Sequence, residues 1–413
     1  MNYRIPYIVL LIFGFFFAKS TIAQNNTVKI NAAFDHEIGF ELDVNSASSL
    51  NNALLNASGF IDNDLKDENL LRLNDLNQGG TNADFKLFYR QDRPELWGIK
   101  NLGFYFALEW HYLDENRFTR DLYSLILYGN KDFAGKTADL SYSARQQINY
   151  YQLKAGLRKT SQNEKHQFGI NGALVLGNKL SAFQLDDKSC FYTSPLGDEL
   201  TLRTDLEYMA SDTARSEWYQ TNGVGASVDL FYKYQKKDAF SITASVENFG
   251  FIHWNKNTLN LTENKKHIFS GVEVDNIFDI PDPLIQSSDT LNDYLDANTT
   301  KEANSTYIPI DFKLRYIQYF MSKKIEMSAL VHYRMFSFMW PLYQLDATYK
   351  INDNIKLGPI LSYGGYTAFN AGLKLEFNFA KNYQLKLESR YITGFAQHSF
   401  SGMGGFINFT YKI

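Results

Sequence analysis

Proline and cysteine are both scarce in this chain, and each shortage narrows the class of fold. Only 8 of the 413 residues are proline, where a usual share is about 5 %. Because proline lacks the N–H that a strand interior needs, its scarcity suits long extended strands. The single cysteine, Cys190, cannot form an intramolecular disulfide; it is either a reactive or intermolecular thiol or a tolerated loop residue.

The chain also lacks an excess of one charge and lacks repeated apolar segments. Its 41 basic and 45 acidic residues give a net charge of −4, which argues against a nucleic-acid partner because such partners select a basic surface. The mean hydropathy is −0.32, and the one long apolar run lies at the N-terminus. A membrane protein built from helices is therefore excluded.

The N-terminus has the layout of a secretion signal. Arg4 precedes the apolar run Ile5–Ala18, and Thr21-Ile22-Ala23 places small residues before a cleavage point. Cleavage after Ala23 makes residues 1–23 a signal peptide and residues 24–413 the mature chain. The alternative is an uncleaved anchor, but this run is shorter than the roughly 20 apolar residues that span a bilayer.

Aromatic residues and strict alternation are what the sequence has in abundance. It contains 33 Phe, 27 Tyr and 5 Trp. Several segments of about ten residues alternate between an apolar face and a polar or charged face, as strands do. These segments are Gly103–Tyr112, Gly223–Tyr234, Ala239–Glu247, Ile308–Phe320 and Lys324–Arg334.

Three features predict that the apolar faces point to lipid rather than to a protein core. The apolar faces often end in aromatic residues, as the two interfacial girdles of a membrane barrel require. The strands are long and numerous, with few helices to cover them. The chain also ends on an aromatic-rich strand, Gly404–Ile413. The sequence therefore predicts an all-β fold, a transmembrane antiparallel β-barrel of about 16 strands, within a range of 14 to 18.

The connections predict one end with tight turns and one with long loops. Tight turns are expected at 234–238, 321–324, 352–354 and 380–382, and long connections at 178–199, 276–306 and 394–402. Counting back from a periplasmic C-terminus places all four tight turns on the periplasmic side, which is the usual asymmetry of bacterial barrels.

One hairpin can be assigned a register. A three-residue loop between Phe379 and Tyr383 sets Glu376 opposite Lys386 and Lys374 opposite Glu388 on the lumen face. A slip by one residue would turn these charges toward lipid, at a cost of roughly 2–4 kcal/mol per basic residue near the midplane.

Two segments break the strand rhythm. Residues 45–82 contain a helical pattern with Asp62 as a candidate N-cap, and they form either a plug folded into the lumen or a helical loop outside the barrel. Residues 275–306 are polar and carry Pro281 and Pro283. They form either a lid over the mouth or a mobile external loop.

Short motifs resemble those of known barrels. Gln24 as the mature start, the segment Val246–Ile252, the strand Gly404–Ile413 and the stretch Ser58–Asn77 resemble a Bacteroidota outer-membrane barrel family known only as a domain of unknown function. Glu247-Asn248-Phe249-Gly250 is also similar to barrels of the long-chain fatty-acid transporter type, whose N-terminal hatch matches residues 45–82. That family's substrate residues cannot be placed on this sequence, so its transport activity does not carry over.

No catalytic or metal-binding motif stands out, and we expect no cofactor. The seven histidines are scattered; His332 with Glu326 and His111 with Glu109 share lumen faces, which is the weak basis for a membrane-embedded hydrolase. The predicted lumen charges are mixed in sign, unlike the single-sign ring of a selective pore. They are Asp311, Lys313, Arg315, Glu326, Arg334, Lys374, Glu376, Lys386, Glu388 and Arg390. Asp311, Lys313 and Arg315 are expected to form a network within the lumen.

The sequence thus predicts a porin-like barrel of the Gram-negative outer membrane that passes a solute, which could be amphipathic. The alternative is an accessory barrel that docks a secretion or surface-assembly partner, and an embedded hydrolase comes third. The expected partners are outer-membrane lipid and, through the C-terminal strand, the barrel-assembly machinery. No enzyme activity and no nucleic acid are expected.

Overall fold

A computed structural model describes residues 35–55, 61–215, 217–270, 300–379, 382–396 and 401–413. The predicted signal peptide, most of the 275–306 segment and the start of the Ser58–Asn77 stretch lie outside the described residues. The described residues all belong to one compact unit.

Fourteen antiparallel strands form the fold, and their side chains alternate as the sequence predicts. They are β1 (Asp35–Ser48), β2 (Leu76–Leu96), β3 (Ile99–Thr119), β5 (Ala144–Thr160), β6 (His166–Leu185), β9 (Gly223–Lys236), β10 (Phe240–Trp254), β14 (Ile310–Phe320), β15 (Ile325–Met335), β16 (Trp340–Lys350), β17 (Ile355–Gly365), β18 (Thr367–Phe379), β19 (Tyr383–Ser389) and β20 (Met403–Lys412).

The strands close into a barrel. Each pairs with the next in the order given, and β20 pairs with β1, for example Phe409 with Phe40, which completes the ring. Closure removes the unpaired edges that an open sheet would expose. The predicted closed antiparallel β-barrel is confirmed, and its fourteen strands lie at the lower limit of the predicted range.

The wall is apolar outside and polar inside. Leu108, Val228 and Leu314 point outward and are 55 %, 39 % and 45 % exposed, while Glu109 and Lys154 point inward and are buried. A soluble sheet protein would show the opposite arrangement, with its apolar side chains enclosed. The predicted inversion of the strand faces is therefore confirmed.

One end of the barrel, called here the turn end, carries the tight turns. The connections at 97–98, 161–165, 237–239, 321–324 and 351–354 lie there together with both termini of the barrel, since Glu37 pairs with Lys412. The hairpin register predicted around Phe379 and Tyr383 is confirmed at every pair, including Glu376 opposite Lys386.

The opposite end, called here the loop end, carries the longer connections and every described helix. These helices are α1 (Asn52–Leu55), α2 (Asn63–Arg72), α3 (Arg120–Tyr128) and α4 (Ile392–Ala396), with a 3₁₀ turn at Lys131–Phe133. Further strands lie outside the ring there, namely β4 (Lys136–Asp139), β7 (Cys190–Thr193), β8 (Glu199–Ala210), β11 (Leu259–Ser270), β12 (Thr300–Lys301) and β13 (Asn304–Tyr307).

The helical plug predicted for residues 45–82 is not confirmed. Strands β1 and β2 extend into both ends of this segment, because their polar residues pair in register up to Ser48 and Gly79. The helix within it does form, and Asp62 caps it as predicted, since its carboxylate accepts a hydrogen bond from the N–H of Leu65 at 2.8 Å. No described residue of α1 or α2 lines the lumen cavity.

Aromatic side chains gather on the outer wall near both ends. Tyr383 and Tyr411 stack at 4.6 Å between ring centroids at the turn end, and Tyr307 and Phe336 stack at 4.8 Å at the loop end. Such girdles suit the two interfaces of a bilayer. None of the helices in the described residues is long and apolar enough to span a bilayer.

Candidate functional site: the lumen

The barrel encloses a cavity of about 980 Å³ whose lining comes from both halves of the chain. All ten charged residues that the sequence places in the lumen line this cavity, namely Asp311, Lys313, Arg315, Glu326, Arg334, Lys374, Glu376, Lys386, Glu388 and Arg390. Because lumen-facing side chains alternate with lipid-facing ones, the strand pattern was sufficient to place them.

The cavity wall carries both signs of charge in nearly equal number. Its lining includes eleven lysines and arginines and ten aspartates and glutamates. A pore selective for one sign of ion would concentrate one charge at a constriction. The wall as a whole therefore has no excess of one sign of charge.

The most buried cation of the lumen is Lys154 on β5. Its Nζ lies 2.9 Å from the carboxylates of Glu109 on β3 and Asp229 on β9, and it donates to Oδ1 of Asn248 at 3.0 Å. The Lys154 side chain is only 4 % exposed. Oxygen atoms from two other strands and from a bulge therefore surround the Lys154 ammonium group. These contacts compensate for the hydration that the buried charge has lost.

The bulge that contributes to this cluster interrupts the β9–β10 ladder. Register shifts between Val246 and Phe249, and Asn248 adopts a φ of 62°, which asparagine tolerates better than most residues. The N–H of Asn248 donates to Asp229 at 2.8 Å. The extra residue thus turns an amide into the lumen where a regular strand would turn it toward lipid.

A second cluster lies on the neighbouring strands β14 and β15. Asp311 accepts from Arg334 at 2.8 Å and contacts His332 at 2.5 Å. Lys313 instead pairs with Glu247 at 2.7 Å. Asp311, Lys313 and Arg315 therefore do not form the single network that the sequence predicts. Asp311 and Lys313 each pair with a residue of a neighbouring strand, which lies nearer than the other residues of β14. Among the described residues Arg315 has no carboxylate within 4 Å.

A third cluster lies on β16 to β19. Lys374 lies between Glu388 at 3.5 Å and Asp346 at 3.7 Å. Glu376 accepts from Lys356 at 2.8 Å and from Gln384 at 2.9 Å, so it uses these partners although Lys386 is its opposite residue in the ladder.

Of the two histidine–glutamate pairs suggested by the sequence, one forms and the other does not. His111 does contact Glu109 at 3.1 Å and also Asp84 at 2.7 Å. His332 turns to Asp311 and not to Glu326, which lies six residues further toward the turn end. Within the described ranges, no group of three or more His, Cys, Asp or Glu residues is arranged to hold a metal ion.

The loop end of the lumen is bridged by contacts to one buried carboxylate, Glu115 on β3. Its oxygens accept from the hydroxyl of Tyr366 at 2.6 Å, from the N–H of Phe338 at 2.6 Å and from the hydroxyl of Ser337. Residues 336–339 join β15 to β16, and these strands lie opposite β3 in the ring. The set Glu115, Ser337, Phe338 and Tyr366, called here the latch, therefore crosses the mouth.

Close packing around Tyr366 reinforces the latch. Its ring lies against Gly80, where a Cβ would approach a ring carbon to 2.4 Å, and Gln78 donates to the carbonyl of Gly365. Burial raises the pKa of the Tyr366 phenol well above its ordinary value, and the adjacent Glu115 carboxylate adds to the rise. The phenol therefore stays a hydrogen-bond donor at neutral pH.

One protein family matches most of the chain. A family model described as a family of unknown function, DUF5723, matches residues 15–384. The chain belongs to this family. The resemblance to a barrel family of unknown function is thereby confirmed. No curated protein matches the sequence.

Several solved structures are similar to this chain over most of its length. They include the Pseudomonas putida toluene transporter TodX (10 % identity, covering 92 % of this chain and 90 % of that one, TM-score 0.42), a Pseudomonas aeruginosa FadL homologue (9 %, 92 % and 89 %, 0.39) and the translocator domain of the Neisseria meningitidis autotransporter NalP (8 %, 93 % and 90 %, 0.33). At these TM-scores the likeness carries no argument about activity.

Sequence reasoning missed the latch and the Lys154 cluster. Glu115 and Ser337 are 222 positions apart, so no local pattern connects them. Lys154 lies on a strand whose alternation is as regular as that of the strands that were recognised, and it could have been found by extending the pattern to residues 144–160. Asn248 could not, because the bulge breaks the alternation at that position.

Proposed function

We propose that the protein is an outer-membrane barrel of a Gram-negative bacterium that passes a solute through its lumen, with the latch closing the loop end between passages. The observation that supports this proposal is the 980 Å³ polar cavity enclosed by a wall with an apolar outer face. A polar path through a lipid-facing shell is the arrangement of water-filled barrels.

Passage requires the loop end to open. The latch depends on hydrogen bonds to one carboxylate, and such charged hydrogen bonds contribute about 1.5–3 kcal/mol each. Residues 336–339 and Tyr366 belong to connections and not to the ring itself. They can therefore leave Glu115 without breaking a strand pairing, so the closed and open forms share one barrel.

The mixed charges of the wall favour a solute that is polar or zwitterionic over a simple ion. Each buried charge in the clusters around Lys154 and Asp311 already has partners of opposite sign, so these groups shape the path and need no bound ion for neutrality. Lipid contacts the outer wall, and the C-terminal strand is the part of the chain proposed to engage the barrel-assembly machinery.

Conductance in planar bilayers tests the proposal. The wild-type protein should show rare ohmic openings, and Glu115→Ala should raise the open fraction at least about tenfold, since about 1.4 kcal/mol corresponds to tenfold. Glu302→Ala removes an exposed loop-end carboxylate outside the latch and should leave the open fraction unchanged. A silent bilayer for both the wild type and Glu115→Ala would reject passage.

A second candidate is an accessory barrel that docks a secretion or surface-assembly partner. The closed mouth favours it, as do the strands β7, β8 and β11, which extend beyond the ring at the loop end. Under this reading Glu115→Ala conducts no better than the wild type, and deletion of residues 190–210 abolishes capture of a partner from native membranes.

A further inference from the structure

Three cations come together on one side of the lumen near the turn end, although the lumen as a whole is balanced. They are Arg90 on β2, Arg158 on β5 and Lys233 on β9. Arg90 and Arg158 line the cavity. Asp229 and Phe231 also line the cavity. Lys233 is the next alternate residue on β9, so its side chain points into the lumen as theirs do.

The three cations lie at similar levels on nearby strands. Arg158 is opposite Gly169 of β6, and Lys233 is opposite Gln167, two residues earlier on the same strand. Arg90 is opposite Tyr105, which is itself opposite Gly156, two residues before Arg158, so the like charges of the three groups repel one another. Arg158 lies two residues from the end of β5, and Lys233 is paired with Gln167 at the beginning of β6. The cluster therefore borders the mouth at the turn end and faces away from the latch.

Carboxylates neutralise only part of this charge. Arg90 pairs with Glu37 at 2.5 Å, and Arg158 donates to Asp92 through Nε at 3.1 Å and through a second nitrogen. Among the described residues, no carboxylate lies within 4 Å of the Lys233 ammonium. Three cations thus face two close carboxylates, and Glu326 interacts with Lys233 only at longer range.

The arginines also have donors to spare. A guanidinium has five N–H groups, of which Arg90 uses one and Arg158 two in hydrogen bonds to side chains of the described residues. Glu37 and Asp92 hold the two guanidinium groups in position from one side. Preorganised guanidinium groups beside a free ammonium match the geometry of phosphate and carboxylate oxygens.

We propose that Arg90, Arg158 and Lys233 form a binding site for an anionic group, a phosphate or a carboxylate, at the turn-end mouth of the lumen. An anion there relieves the repulsion among the three cations and accepts their remaining N–H donors. This inference rests on the proposed function and makes it more specific, because it states that the solute passing through the lumen carries an anionic group.

Calorimetry of the full-length protein in detergent tests binding without requiring passage. Pyrophosphate and citrate serve as phosphate and carboxylate probes, titrated at low salt. We expect at least one of them to bind, and its affinity to fall as salt screens the site. The stronger probe identifies which anion chemistry the site prefers.

Variants localise the binding. Lys233→Gln removes a cation that has no close ion pair, so the barrel should still fold, and it should weaken binding about tenfold. Lys233→Glu should abolish binding. Lys237→Gln removes an exposed cation in the β9–β10 turn, outside the lumen, and should bind like the wild type. Retention of wild-type affinity in Lys233→Glu, or no binding of either probe to the wild type, overturns the proposal.

The outcomes separate this site from the passage proposal. If pyrophosphate or citrate binds in a Lys233-dependent way but bilayers stay silent for the wild type and for Glu115→Ala, the anion site stands and passage fails. If the protein conducts but neither probe binds, passage stands and the anion site fails.

Discussion

The outer and inner surfaces of the barrel wall differ in how specifically each residue is required. On the outer surface Leu108 and Leu314 are about half exposed and lie opposite other apolar residues, Leu87 and Val331 among them. On the inner surface Lys154 is buried between two carboxylates at 2.9 Å each. The outer surface requires only apolar side chains, whereas the inner surface depends on specific contacts between individual residues.

The difference follows from the two surroundings. Acyl chains require only that a side chain is apolar, so leucine, isoleucine, valine and phenylalanine are interchangeable there. The lumen wall places charges close together with little water, where each must find a partner or pay a desolvation cost. The effect of a substitution on stability should therefore depend on the polarity of the new side chain on the outer surface. On the inner surface it should depend on which specific partners the substitution removes.

Lys154→Met gives the largest expected effect on the inner surface. The substitution keeps the length of the side chain but leaves Glu109 and Asp229 facing each other without their shared cation. Breaking a buried ion pair in this way costs about 3–5 kcal/mol. The free energy of unfolding in lipid vesicles, measured by urea titration, should fall by that amount.

Lys237→Met is the control for this measurement, because Lys237 is exposed in a turn. Its free energy of unfolding should change by less than about 0.5 kcal/mol. A Lys154→Met barrel as stable as the wild type would mean that water or a mobile cation neutralises the two carboxylates, and the inner surface would then be less specific than its contacts suggest.

The sequence was sufficient for everything that depends on alternation. It predicted the inverted faces, the end that carries the tight turns and the register from Phe379 to Tyr383, because each follows from a period of two and a short turn. It also predicted the Asp62 cap, since that contact spans only three residues.

Partner choice could not be predicted in the same way. Asp311 binds Arg334 and His332 while Lys313 binds Glu247, and only the relative shift of strands decides between these pairings. The latch joins Glu115 to a connection on the opposite side of the ring. The helical plug, one of the two alternatives for residues 45–82, is not confirmed, and the contacts across the mouth come from connections far along the chain.

Leu108→Arg tests the outer surface with the next largest effect. Leu108 lies at the middle of β3 and points away from the lumen. An arginine there must enter the apolar layer, at a cost of about 2–4 kcal/mol in the free energy of unfolding in vesicles. Leu108→Ile retains an apolar side chain and should cost less than about 1.5 kcal/mol. Equal stability of Leu108→Arg and Leu108→Ile would show that this face meets water or protein in place of acyl chains.

The pair Lys356–Glu376 gives the smallest expected effect and shows where the specificity of the inner surface ends. Their charged groups lie 2.8 Å apart near the turn end, and the lysine side chain is 27 % exposed, so water screens the attraction. A double-mutant cycle with Lys356→Gln and Glu376→Gln should give a coupling of about 0.2–1 kcal/mol, which high salt should reduce. A coupling as large as the effect of Lys154→Met would mean that the turn-end mouth excludes water as strongly as the middle of the lumen, and the contrast between the two surfaces would then extend along the whole barrel.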